Sequence, residues 1–164
     1  MNVFGIVGWK NSGKTGLMER LVTEISSRGL SVSTIKHAHH SFDVDQPGKD
    51  SHRHRMAGAQ QVLLASKKRW VLMHELRDRD EPSLAELLEQ IAPVDLILVE
   101  GYKRDDHPKI EAHRVETGQS LIAQDDDTIL AIASNESHPD ILVPTFDLDD
   151  TKTIAGFILK QIRA

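Results

Sequence analysis

Apolar positions along the chain come in two kinds of block, short continuous runs and longer stretches with a 3.6-residue period. Val3 to Gly8 (VFGIVG) is a short apolar run closed by glycine, which predicts a buried strand. From Lys14 to Arg28 the apolar residues Leu17, Leu21, Val22 and Ile25 recur at helical spacing, and Gly29 supplies a stop. Leu30 to Ile35 reads as a second strand, and Lys36 to Lys49 as a polar segment holding Pro47 and Gly48. Asp50 to Ala59 suits a short helix capped by Asp50. Gln61 to Ser66 and Arg69 to Leu76 read as two strands about a tight Lys67-Lys68 corner. A helix is expected near Ser83 to Ile91.

Leu96 to Val99 is the most apolar run and ends in Glu100-Gly101. Lys109 to Val115 and Ser120 to Gln124 alternate loosely and are expected as edge strands. Thr128 to Ala133 and Ile141 to Val143 are further strand candidates, and Thr151 to Ile162 closes the chain as an amphipathic helix. There is no internal repeat and no Gly/Ser linker. The expectation is one α/β domain over 1–164, a mainly parallel sheet flanked by helices with added edge strands. A small strand extension is expected around 60–76.

Composition narrows the function. Of 164 residues, 39% are hydrophobic and 27% charged, enough apolar material for one core. Aromatics at 4% argue against a stacking platform for single-stranded nucleic acid, and a net charge of -5 argues against a nucleic-acid-coating protein. Absence of cysteine excludes disulfides, thiolate metal sites and a Cys nucleophile. No apolar run approaches the roughly 18 residues needed to span a bilayer, and no signal peptide opens the chain. A soluble cytoplasmic protein with no membrane partner is expected.

The chemistry centres on Gly8-Trp9-Lys10-Asn11-Ser12-Gly13-Lys14-Thr15, a full G-x-x-x-x-G-K-[ST] match between a predicted strand and a predicted helix. Such a loop turns successive backbone N–H groups onto phosphate oxygens and feeds them to a helix N-terminus. Lys14 would reach the β- and γ-phosphates, and the Thr15 hydroxyl would ligate Mg²⁺. The fold class is therefore a P-loop NTPase. Glu100, at the carboxyl end of a buried parallel strand, is the candidate to hold magnesium or orient its water. Asp95, at the opposite end of that strand, is structural.

Five of the nine histidines fall between His37 and His54: His37, His39, His40, His52 and His54. They suit transition-metal binding, phosphate donation or plain solvation. Lys36-His37 stands where P-loop proteins place a switch segment. Lys49 or Arg53 could touch phosphates, and Asp50 is either a water-orienting base or an ordinary helix cap.

Taken in order, the P-loop, Thr34-Ile-Lys-His37-x-His39-His40, Asp43-Val-Asp-Gln-Pro-Gly-Lys-Asp-Ser51, Arg55-Met-Ala-Gly-Ala59 and Leu96-Ile-Leu-Val-Glu-Gly-Tyr-Lys103 resemble the MobB family. The resemblance implies a homodimeric, Mg²⁺-dependent GTP-binding adapter with weak hydrolysis. Its implied partners are the guanylyltransferase of molybdopterin-guanine dinucleotide biosynthesis and, with it, molybdopterin-loaded enzymes. By motif position, Gly8, Asn11, Ser12, Gly13, Lys14 and Thr15 bind phosphates, and Thr15 and Glu100 serve magnesium. Lys36, His37 and Asp50 face the γ-phosphate or the partner.

No Asn-Lys-x-Asp guanine motif is present. Ser134-Asn135 stands in a candidate base-contacting place, and guanine preference rests on the resemblance. Two other functions compete. A small-molecule kinase would need an arginine-bearing lid, for which Arg53, Arg55, Arg77 and Arg79 are the candidates. A GTP-driven metallochaperone would use the His37–His54 cluster. The loop itself holds Lys10 and Lys14 but no arginine, and Arg53 and Arg55 are the expected nearest ones, so slow intrinsic hydrolysis is expected.

Overall fold

The structure, a computed structural model, describes residues 2–38 and 42–162. Its strands are β1 (Asn2–Val7), β2 (Val32–Lys36), β3 (Gln61–Ala65), β4 (Trp70–His74), β5 (Leu96–Glu100), β6 (Lys109–His113), β7 (Ile129–Ser134) and β8 (Thr145–Asp147). Its helices are α1 (Lys14–Ser27), α2 (Asp50–Met56), α3 (Leu84–Leu88) and α4 (Thr151–Gln161). The chain divides into a larger unit, Met1–His37 with Leu88–Ala164, and a smaller one, Ala38–Leu87.

The larger unit is a six-stranded sheet in the order β2-β5-β1-β6-β7-β8, with every pair parallel. The expected α/β class holds. On one face the period-2 alternation of the strands presents Phe4, Ile6, Leu96, Leu98, Ile110 and Ala112. Leu17, Leu21 and Ile25 of α1 and Ile154 and Ile158 of α4 pack on them. Each such side chain, fully buried, contributes roughly 1.5–3 kcal/mol. The helix α4 starts where Asp150 accepts the Thr153 amide at 3.1 Å.

The opposite face differs in kind. Strand β6 presents Lys109, Glu111 and His113 to it, and all three are buried. The Lys109 ammonium pairs with Asp126 at 3.2 Å and donates to the Thr128 hydroxyl and the Asp105 carbonyl. Glu111 accepts the amides of Ile122 (3.0 Å) and Ala123 (2.9 Å). Two local expectations fall for this reason. The loose alternation of Lys109 to Val115 reads as a solvent-washed edge, but β6 lies between β1 and β7, its polar face satisfied by the segment that follows it. Ser120 to Gln124 is not a strand but holds a 3₁₀ turn at Ile122–Gln124, because its amides serve the Glu111 carboxylate. Likewise Ile141 to Val143 is no strand; the pairing strand is β8, two residues later.

In the smaller unit β3 and β4 form an antiparallel hairpin about Lys67-Lys68, as expected, and make a sheet of their own. The expected cap of α2 shifts by one residue: Lys49 is the N-cap and Asp50 the first helical residue. Arg55 is gripped by Asp43 (2.7 Å), Glu75 (3.3 Å) and Asp45 (3.7 Å).

His107, in the turn before β6, has both ring nitrogens buried without a hydrogen-bond partner. Burial, then Lys109, lowers its pKa below the usual 6.5, against the opposing pull of Asp105, Asp126 and Asp106. A histidine held neutral in the fold takes up its proton first in the unfolded chain. Its contribution is complete above 6.5 and is lost as pH falls toward the depressed folded value. Denaturant unfolding between about pH 7 and pH 5 should therefore show a shallower acid loss in His107→Gln than in the parent.

Candidate functional site

The loop between β1 and α1 leaves the middle of the sheet. Three of its six residues have positive φ: Gly8 at 146°, Asn11 at 65° and Gly13 at 92°. At Gly8 a β-carbon would stand 2.3 Å from the Ala112 carbonyl oxygen and 2.5 Å from Ser12 Oγ, so only glycine lets the backbone turn against β6. Helix α1 begins on Gly13 with no side-chain cap and no acidic residue in its first turn. Nothing from those side chains competes with an anion for the helix N-terminus.

Lys14 folds back over this loop, its Nζ 2.5 Å from the Trp9 carbonyl and 3.4 Å from Ser12 Oγ. Burial holds its pKa below 10.5, Lys103 and Lys36 push the same way, and Glu100 opposes them. The parallel register sets Lys36 beside Glu100 on one side and Ile6 beside it on the other. Glu100 Oε1 thereby receives the Thr15 hydroxyl at 3.4 Å and the Lys36 ammonium at 3.2 Å. Glu100 is buried, whereas the Lys36 side chain is 59% exposed and free to swing away. The His37 amide donates to the Glu100 carbonyl at 2.9 Å, and its ring packs 4.8 Å from that of Tyr102.

This constellation sits on a chain with close relatives. The family model for MobB, molybdopterin guanine dinucleotide synthesis protein B, matches residues 3–135. The chain belongs to the MobB family.

One MobB-family relative is the molybdopterin-guanine dinucleotide biosynthesis adapter protein of Escherichia coli (strain K12). It is 36% identical over 166 residues, covering 98% of this chain and 93% of that one. The protein of the same name from Haemophilus influenzae is 42% identical over 160 residues, covering 95% and 86%. Among solved structures, a MobB protein homolog from Bacillus stearothermophilus superposes with a TM-score of 0.76 at 30% identity, covering 99% of each chain. Bacillus subtilis MobB does so with a TM-score of 0.77 at 27% identity, covering 99% and 98%.

Of the residues singled out from sequence, Gly8, Asn11, Ser12, Gly13, Lys14 and Thr15 make up the loop and the start of α1, Glu100 and Lys36 meet beside Thr15, and His37 follows Lys36 against Gly101 and Tyr102. Asp50 belongs to the smaller unit, where its exposed carboxylate is 3.8 Å from Arg53. His39 and His40 lie outside the described residues, and His52 and His54 are on α2 of the smaller unit. Asp95 is structural, accepting the Ser31 amide at 2.7 Å and its hydroxyl at 2.6 Å. The Asn135 amide accepts from the Val115 N–H at 3.1 Å and donates to both Glu116 oxygens at 2.9 Å.

Three residues went unassigned in the sequence. Trp9 is anchored by its indole N–H on the Ser120 carbonyl at 2.8 Å. Lys103 lies 4.1 Å above the Trp9 ring, its pKa lowered by burial. Arg114 follows β6, and a β-carbon on Gly13 would stand 3.1 Å from its Nε. Within the larger unit an arginine therefore borders the loop, in addition to the Arg53 and Arg55 expected from the smaller unit. Arg114 flanks it, brought there by the pairing of β6 with β1. Arg55 is held by carboxylates of its own unit. Lys103 had a signal, the basic residue three beyond Glu100; Arg114 had none until β6 was placed beside β1.

Gly8→Ala should destabilise the protein by more than ~1 kcal/mol, since both the positive φ and the Ala112 carbonyl oppose a β-carbon. Urea unfolding of the two proteins measures the difference.

Proposed function

We propose that the protein is a cytoplasmic, homodimeric adapter of molybdopterin-guanine dinucleotide biosynthesis that binds GTP with Mg²⁺. It acts beside the guanylyltransferase, and through it on molybdopterin-loaded enzymes. The observation that carries this reading is the meeting of Thr15, Lys36 and Glu100 at the P-loop of a MobB-family chain. Lys14, Lys36 and Lys103 surround the loop with positive charge suited to a triphosphate. The donor set fits magnesium: a hydroxyl and a carboxylate, both hard oxygens, converge. Thr15 and Glu100 would hold the ion, with the exposed Lys36 ammonium 3.2 Å from the Glu100 carboxylate. When bound, Mg²⁺ would offset the charge of the phosphate oxygens.

Support for a homodimer comes from the hairpin. Leu63 and Leu72 are direct cross-strand partners, with Trp70 on the same face, and all three are exposed. A two-stranded sheet is marginal alone, so an apolar face of this kind suits burial against a second copy.

In a competition assay with Mg²⁺ present, GTP should displace a bound labelled analogue and ATP should not. Lys14→Ala should reduce triphosphate affinity by about 2–3 kcal/mol, the loss of a charge-assisted phosphate contact. Unchanged affinity would remove the loop from the site. Glu100→Gln should slow Mg²⁺-supported hydrolysis more than it weakens binding, and equal rates would make Glu100 a turn residue only. A single-turnover assay of the lone protein should give a rate below about one per second, the low edge of enzymes. Product formation should change when the guanylyltransferase is added. Trp70→Lys should shift the sedimentation equilibrium toward monomer.

A further inference from the structure

Among the described residues, two histidines meet outside the stretch where they crowd in the sequence. His113 ends β6, and the chain beyond β7 brings Glu136 and His138 back over it. One ligand atom from each of these three residues lies within 4.8 Å of the others. The two imidazole rings meet edge to face, with centroids 5.1 Å apart and planes at 81°. All three belong to the larger unit.

Hydrogen bonding sets the state of His113. Its Nε2 is 3.2 Å from the Gln119 carbonyl oxygen, which can only accept, so that nitrogen carries the proton. The Nδ1 of the neutral ring therefore presents a lone pair. It points at Ser134 Oγ, 3.4 Å away, and His138 Nε2 points at the same oxygen from 3.0 Å. Ser134 Oγ also accepts the Glu136 amide at 3.2 Å. A single hydroxyl proton can serve only one of the two ring nitrogens as donor. A divalent cation takes lone pairs from both.

We propose that His113, Glu136 and His138 form a transition-metal site of the zinc class, with His113 Nδ1, His138 Nε2 and a Glu136 carboxylate oxygen as ligands and a fourth position open to solvent. Two imidazoles and one carboxylate are a donor set for zinc and its neighbours, not for magnesium. Tetrahedral bonds of ~2.0–2.1 Å set ligand atoms about 3.3 Å apart. Closing from the observed spacing takes a rotation of the exposed Glu136 and half-buried His138 side chains, while buried His113 stays. The Gln119 carbonyl behind His113 is the outer partner that fixes tautomer and ring orientation in protein metal sites. The site stands at the strand end that supports the P-loop: Ala112, one residue before His113, backs Gly8, and Arg114, one residue after it, flanks Gly13.

The test uses untagged full-length protein freed of metal by chelation, with Mg²⁺ in excess. His37, His39, His40, His52 and His54 are all replaced by Ala, so that the histidine-rich segment is silent. Zn²⁺ is titrated by calorimetry and Co²⁺ by visible absorption. One equivalent of each should bind, Co²⁺ with the intense bands of a tetrahedral centre. His138→Ala should lower affinity by about 100-fold or more, beyond what loss of an outer partner costs. Glu136→Gln, at an exposed position, should weaken binding while keeping the parental thermal midpoint without metal. Failure to bind one equivalent in this background would overturn the proposal, as would affinity unchanged in both variants, which would leave a hydrogen-bonded cluster around Ser134.

Discussion

The parallel pairing of β1 between β5 and β6 is the constraint on which the larger unit depends. Ile6 lies opposite both Glu100 and Ile110. The carboxyl ends of β1 and β5 thus fall within a residue of each other while β6 runs on past them, and the loop that leaves β1 emerges between Glu100 and the Ala112–His113 corner. Shift β5 by one residue and Glu100 would turn to the other face, away from Thr15. Shift β6 and the Ala112 carbonyl would no longer back Gly8. The phosphate loop is shaped by its own glycines, but it is aimed by the register of its neighbours.

The same register explains why the sheet tolerates charge in its interior. Strand β6 gives Ile110 and Ala112 to the helix-covered face and Lys109, Glu111 and His113 to the other. Each of those polar groups finds partners in the segment between β6 and β7, so desolvation is offset by ion pairing or backbone amides. Burial still raises the Glu111 pKa, the amides of Ile122 and Ala123 pulling it back. The network thereby folds an otherwise irregular stretch onto the sheet and carries Trp9, through the Ser120 carbonyl, with it.

Much of this was legible in the chain. The P-loop, its flanking strand and helix, Glu100 at the end of the apolar run and the β3–β4 hairpin all announce themselves through local pattern, because each depends on residues close in sequence. What depends on long-range pairing was not legible. Alternating polar residues look the same on a solvent-washed edge and on a buried face served by a later loop, so β6 was misplaced. Arg114 and the His113, Glu136 and His138 grouping inherit that blindness, since they come together only when β6 and β7 are neighbours. Asp50, a candidate by its place after the second strand and by the resemblance, is the first residue of α2 in the smaller unit.

The strand order also dictates a schedule for biosynthesis. Strand β1 pairs with β5 and β6 alone, so it has no partner until about 90 further residues have been added. At ribosomal rates of about 5–20 residues per second this takes roughly 5–20 s. Throughout that interval Phe4, Ile6, Leu17 and Leu21, all fully buried in the finished protein, have no sheet to bury them. Strand β2 must likewise wait, because β5 inserts between it and β1. Nascent chains of this topology therefore expose apolar surface while the strand partners are still being made, and the phosphate loop, though synthesised before β5 and β6, takes its shape only after them.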